Sequence, residues 1–295
     1  MSTTFLFLAF MVPGTLFLGL NDVLVRKVLR GGRVAEQTLA AFDYLSVSIV
    51  LLIPLAFTGI PELKSGFWTA IIATIALNIF AVWAWFSAFK REEASLISPL
   101  RLISPPLVVL TGYLILREAP TAGGILGILV TVFGLWLLFS SEASFSGIRL
   151  REMVRRPGVI FGICGAISFA VSFPIDKQAV AASSPLFTVI MSFGGVGLGS
   201  LISAAIRNRG VLSGLSVREN WQALALMPFV HAAGSFLTFA ALPYALAAYA
   251  SSVKRLWSFW AVLLSGKFLA EKNIGRKLLA TAVMLAGIAV TLLLG

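Results

Sequence analysis

The chain has 295 residues, 59% of them hydrophobic and only 12% charged, with a mean hydropathy of +0.97. A soluble domain of this size cannot hide that much apolar surface, so the composition excludes one and places nearly the whole chain in a bilayer. The net charge of +11 does not mark a nucleic-acid binder, because the basic residues sit in short breaks between apolar stretches rather than on one face of a soluble module.

A hydrocarbon core about 30 Å thick needs about 20 apolar residues per helix. Ten windows meet that length, near 5–27, 38–58, 67–89, 94–116, 120–140, 158–180, 185–206, 220–243, 246–268 and 274–294. All are expected to be helices, since backbone exposed to lipid must satisfy its own hydrogen bonds. The opening MSTTFLFLAFMVPG lacks the charged start and small-residue cleavage site of a signal peptide, and is read as a retained first span. Cys164 is the only cysteine, which excludes disulfides and thiolate metal clusters within one chain. With one histidine, no HExxH, no Gly-x-Ser-x-Gly and no nucleotide-binding motif, little is present from which to build an enzyme, and neither a metal nor a cofactor is expected.

The loops orient the spans. Alternate breaks carry Arg26, Lys27, Arg30 and Arg33; Lys90 and Arg91; Arg149, Arg151, Arg155 and Arg156; Arg207, Arg209 and Arg218; and Lys267, Lys272, Arg276 and Lys277. The other set holds Lys64, Arg117 and Lys177. The richer set is expected to be cytoplasmic, with both termini on the other side of a multi-pass inner-membrane protein.

The longest break, Ser141 to Arg156, falls midway. It divides the chain into a first five-helix repeat (1–140), a cytoplasmic connecting loop (141–157) and a second five-helix repeat (158–295). An offset of 153 pairs Trp68 with Trp221, Phe86 with Phe239, Ser98 with Ser251, Arg101 with Lys254, Glu118 with Glu271 and Gly134 with Gly287. In the first span of each half the offset is 151, pairing Gly14 with Gly165 and Arg26 with Lys177. An odd number of spans per copy forces opposite insertion, so the fold class is all-α with ten transmembrane helices as two inverted repeats. A site is expected near the midplane where the copies meet.

Candidate residues follow from depth and from the repeat. Arg101, Lys254 and Arg255 lie inside apolar windows, where a cation costs roughly 2.5–3.5 kcal/mol on insertion scales and therefore pairs, faces the interior or binds something. Two readings stay open: they bind an anion, or they neutralise Asp22, Asp43 and Asp176. Asn21 and Asp22 lie past the middle of the first span; Asp22 is either a coupling acid, a counter-ion to Arg101, or a partner of Arg26 at i+4. Lys177 joins this coupling or ion-pair set. His231 and Asn78 are mates in the repeat and are expected to line a cavity; His231, which alone titrates naturally near neutral pH, is alternatively an interhelical hydrogen-bonder or a proton carrier. Trp83, Trp85, Phe86, Tyr249, Trp257 and Trp260 either form an aromatic wall for substrate, with Tyr249 and Trp257 foremost, or anchor helices. Pro99, Pro105, Pro106, Pro174, Pro228 and Pro243 are kinks or hinges. The glycines of FGGVGLGS (Gly194, Gly195, Gly197, Gly199) are expected to allow close helix approach or a flexible gate rather than to hold phosphate. Glu118 and Glu271 are expected to cap the helix that follows each of them.

The polar-interrupted spans ending in Glu118 and Glu271, each followed by a glycine-containing span (GGILGILVTVFGLWLL; LLATAVMLAGIAVTLL), resemble the EamA type of the drug/metabolite transporter superfamily. The resemblance covers essentially the whole chain and implies a ten-helix secondary transporter, an exporter or exchanger. SSVKRLWSFWAVLLSGKFL is similar to the ninth span of plastid sugar-phosphate/phosphate translocators. That similarity implies anion binding by Lys254 and Arg255, with Arg101 in place of a fourth-span lysine; an arginine offers a planar fork instead of a point charge, which leaves carboxylate as open as phosphate. The expected function is alternating-access transport of a small polar, anionic metabolite such as an organophosphate or carboxylate. The alternative is an amino-acid or amphipathic-drug exporter with the basic residues as structural ion pairs. Expected partners are the metabolite and the lipid bilayer, with no nucleic acid and with a homodimer left open.

Overall fold

The computed structural model describes residues 2–30, 36–91, 97–140, 155–207, 221–269 and 274–294. Every regular element among them is helical, as a chain apolar on all sides in long windows requires. In order they are α1 (Thr3–Arg30), α2 (Glu36–Thr58), α3 (Phe67–Arg91), a 3-10 segment (Ser98–Ile103), α4 (Ser104–Leu116), α5 (Ala122–Ser140), α6 (Pro157–Ala181), α7 (Pro185–Arg207), α8 (Trp221–Ala241), a 3-10 turn (Leu242–Tyr244), α9 (Ala247–Lys254), α10 (Leu256–Leu269) and α11 (Ile274–Leu294). These make ten spans, the fourth opening as 3-10 helix and the ninth divided in two. Six of the helices are long and apolar enough to cross a bilayer in one uninterrupted piece.

The two interruptions fall at the paired basic residues. In the fourth span, Pro105 and Pro106 stand in the first turn of α4, where their missing N–H groups cost nothing, and Arg101 lies just before them on the 3-10 segment. The ninth span was expected as one helix over 246–268, but it breaks at Arg255 without a proline. There the Arg255 N–H turns back to Ser252 O at 3.1 Å, the tighter i−3 pattern of a helix end.

The chain folds as two compact units, and neither coincides with a sequence repeat. The first takes Met1–Ile79, Asp176–Tyr244 and Leu256–Ala270; the second takes Phe80–Ile175, Ala245–Arg255 and Glu271–Gly295. The boundaries cut through α3 and α6 and pass between α9 and α10. Each unit therefore draws spans from both copies, as an inverted duplication allows when corresponding helices exchange places.

In the first unit, small residues bring helices into contact. A Cβ on Gly14 would strike Thr238 of α8, one on Gly19 would strike Trp260 of α10, and one on Gly234 would strike Leu18, so α1 lies pressed between α8 and α10. The glycines of α7 serve two neighbours at helical spacing: Gly194 and Gly197 admit Ser48 and Leu45 of α2, while Gly195 and Gly199 admit Ile75 and Ile79 of α3. Close approach therefore accounts for all four. Ser48 Oγ also donates to Ile190 O at 3.0 Å.

In the second unit, α5 and α11 pack through Gly127, Gly134 and Gly287, each without room for a Cβ. Thr111 Oγ1 of α4 donates to Ala170 O of α6 at 2.7 Å. Glu118 caps a helix far along the chain: its Oε2 accepts the Ala247 N–H at 2.6 Å, in the first turn of α9, 129 residues on. The same corner is fastened by Tyr249, whose hydroxyl accepts the Thr121 N–H at 3.1 Å and occupies the space left by Gly124. Arg117 ends α4 in the left-handed conformation, φ 60°, which turns the chain so that Glu118 can reach α9. Glu271, its mate in the repeat, lies outside the described residues, as does most of the connecting loop.

The packing obeys the duplication. Gly14 against Thr238 in one unit and Gly165 against Trp85 in the other are one contact in two copies, since 14 maps to 165 and 85 to 238. Likewise Gly134 meets Met284 and Ala280 where Gly287 meets Thr131 and Gly127, the same pairs under the offset of 153. For α2 and α7 an offset of 149 exchanges the Leu45–Gly197 contact with the Ser48–Gly194 contact. It also equates Tyr44 with Phe193, whose rings lie 5.1 Å apart.

Candidate functional site

The three intramembrane cations all belong to the second unit. Arg101 holds its guanidinium over the Trp85 ring, 5.0 Å from the centroid, and Lys254 holds Nζ 5.3 Å from the Phe173 ring. Both rings come from the helices that pack beside them, α3 and α6. Aromatic faces stabilise cations by about 0.5–2 kcal/mol, more as water is excluded, so each ring gives its cation a favourable seat. Arg255, at the break in span nine, has a buried Nε with no hydrogen-bond partner among the described residues, and it feels the charge of Arg101 as repulsion. Lys254 and Arg255 thus look in different directions, one toward Phe173 and the other into the interior near Arg101, as a step of about 100° along a helix dictates. Arg91, at the end of α3, repeats the theme with its guanidinium 4.7 Å from the Phe161 ring.

Tyr249 lies in the same unit, buried among Val108, Ile128, Ala170, Ala247 and Ala248, with its hydroxyl on the Thr121 amide. The structure places it in the joint between the α4–α5 corner and α9.

The remaining candidates lie in the first unit, in two polar clusters. In one, His231 Nδ1 stands 2.9 Å from Asp43 Oδ2, and Asn21 Nδ2 donates to the same oxygen at 3.3 Å. In the other, Asn78 Nδ2 donates to Thr74 Oγ1 at 3.1 Å, and Thr74 Oγ1 donates to Asp176 Oδ1 at 2.5 Å. His231 and Asn78, mates in the repeat, therefore each lead to a different aspartate. Asp22 and Lys177 are half-buried on α1 and α6, and each has partners of its own. Trp257 is half-buried on α10, near Trp260, whose Nε1 donates to Thr15 Oγ1 at 3.3 Å.

The structure thus brings Arg101, Lys254 and Arg255 into one unit and His231, Asp43 and Asn21 into one cluster of the other. Sequence reasoning missed Phe173, Thr74, Tyr44 and Phe193. Phe173 and Phe193 are ordinary apolar residues in apolar spans, and only a neighbouring helix makes them partners of a charge. Thr74 carried one usable signal, a position one turn before Asn78 on the same helix face.

The EamA-like transporter family matches the chain twice, over residues 5–140 and 156–293. No curated protein matches. A crystal structure titled only as that of a protein superposes with a TM-score of 0.75 over 99% of this chain and 96% of its own, at 18% identity, a likeness of fold alone. Two matches in tandem, five spans in each, agree with the duplicated packing: the chain is a member of the EamA-like transporter family, a multi-pass membrane transporter.

Proposed function

We propose that this transporter moves a small anionic metabolite, an organophosphate or carboxylate, by alternating access, and that Arg101, Lys254 and Arg255 receive the anionic group. One observation carries the reading: the interrupted fourth and ninth spans bring Arg101, Lys254 and Arg255 into one unit, and Arg255 keeps a buried Nε with no hydrogen-bond partner among the described residues. Guanidinium groups suit a dianionic or forked ligand, which each can grip with two N–H groups. Export or exchange follows from the family resemblance. The energy would come from an ion or a counter-substrate.

The test is counterflow in proteoliposomes with phosphate esters, carboxylates and amino acids offered in parallel. Arg101→Ala and Arg255→Ala should lower kcat/KM for the transported anion by about 100-fold, equivalent to about 2.7 kcal/mol. Unchanged transport of every anionic compound in both variants would sink the proposal. A second reading, amino-acid or amphipathic-drug export, is favoured by the seating of Arg101 on Trp85 and Lys254 on Phe173, which lets those cations stand as structural groups. It is supported if amino acids alone are exchanged and the alanine variants retain that exchange.

The loop charges support an inner-membrane orientation with both termini on the non-cytoplasmic side. A carboxy-terminal alkaline phosphatase fusion should be active and the matching green fluorescent protein fusion dark; the reverse pattern would invert the assignment.

A further inference from the structure

The first unit contains a buried acid and base that the anion site does not use. His231 of α8, Asp43 of α2 and Asn21 of α1 keep only 8%, 6% and 5% of their surface. Asp43 Oδ2 accepts the Asn21 amide at 3.3 Å, and His231 Nδ1 stands 2.9 Å from the same oxygen without the geometry of a hydrogen bond. Asp43 Oδ1 and Asn21 Oδ1 are buried acceptors with no donor among the described residues. The imidazole stands edge-on to Tyr44 and Phe193, with centroids at 5.7 and 5.3 Å, so aromatic carbon covers two sides and a carboxylate faces a third.

A half-satisfied carboxylate at membrane depth costs several kcal/mol. With a neutral imidazole the pair carries one negative charge. One added proton brings it to zero whichever group holds it, so the two bind that proton as a unit. A metal cation fits poorly: Ca2+ or Mg2+ asks for about six oxygen ligands or more, and here two unengaged oxygens sit beside a ring nitrogen.

The repeat mates of Asn21, Asp43 and His231 are Ser172, Ser192 and Asn78, at offsets of 151, 149 and 153. An acid beside an imidazole therefore occurs at only one of the two equivalent sets of positions; at the other, Asn78 leads through Thr74 to Asp176, a carboxylate with no imidazole.

We propose that His231 and Asp43, oriented by Asn21, form the proton-binding site that couples this transporter to the proton gradient. The proton is taken from water on one side of the membrane and released to water on the other, with no other bond changed. The inference rests on the transporter reading of the family and on nothing about the substrate. Among the described residues, the other ionisable groups at this depth on the packed helices are Tyr44, on α2, and Asp22, which follows Asn21 on α1; both have further partners, and α7 contributes only Phe193.

His231 is the only histidine, so full-length protein carrying a histidine-free tag and 15N-labelled histidine reports this one ring. As the pH is raised from 5 to 9 without substrate, its signals should pass once from imidazolium to imidazole. The midpoint should be displaced by one pH unit or more, a tenfold change in proton affinity, in Asp43→Asn, and by much less in Asp22→Asn. Asn21→Ala, which retains both titrating groups, should also displace it and serves if Asp43→Asn is not recovered folded. A ring that keeps one charge state throughout, a curve unmoved by Asp43→Asn and Asn21→Ala, or an equal displacement in Asp22→Asn would overturn the proposal. Since no anion is present, the outcome is independent of whether Arg101 and Arg255 bind substrate.

Discussion

The first unit presses Gly14 of α1 against Thr238 of α8, and the second presses Gly165 of α6 against Trp85 of α3, one contact in two settings. Around that shared contact the chemistry differs. The first unit carries Asp43, Asp176 and His231, held by neighbouring polar groups; the second carries Arg101, Lys254 and Arg255, two of them held on aromatic faces. Packing is therefore what the two units share, and charge is where they differ. A carboxylate takes donors close to its oxygens, as Asn21 and Thr74 show, whereas a cation can also use a ring face, as Arg101 on Trp85 and Lys254 on Phe173 show.

Variants can break the shared part of this comparison more severely than the divergent part. Gly14→Leu and Gly165→Leu should each cost upward of about 3 kcal/mol, because the obstacles include backbone or a buried indole. Yields of monodisperse protein in detergent should fall alike in both; a mild effect in only one would show that the two contacts are not equivalent. Thr74→Val removes the short hydroxyl bond to Asp176 and should destabilise by about 1–3 kcal/mol, visible as a lower Tm, whereas Thr74→Ser should retain most of it. Glu118→Gln keeps the shape of the cap on α9 but loses its charge, at a cost of about 1 kcal/mol. The smallest effect is expected for Trp85→Phe, which leaves a ring under Arg101 and should change stability by about 0.5 kcal/mol. Trp85→Leu should lose more, and an equal loss in both would mean that bulk rather than the ring face supports the guanidinium.

Much of the fold was legible because its determinants are local. Span length follows from the run of apolar residues, and the duplication from repeated residues such as Trp68 and Trp221. The cations at Arg101, Lys254 and Arg255 announced themselves by standing where lipid excludes charge. The break at Arg255 was not legible, since no proline marks it. Glu118 shows the same limit: as an acid at a turn it was expected to serve the neighbouring helix, and nothing local records that it also meets the first turn of a helix 129 residues away.

By itself the sequence determined that the chain is a ten-span membrane body, a five-span unit made twice, with basic groups from both copies inside apolar windows. The reason is energetic: burying backbone in lipid allows only helices, and the cost of charge there makes each exception informative. Only the tertiary structure decided that the compact units cut across the repeats, that Asp43 meets His231, and that Arg101 rests on Trp85. Those pairings join helices far apart in the chain, and no periodicity along a helix records which neighbour its polar face will meet.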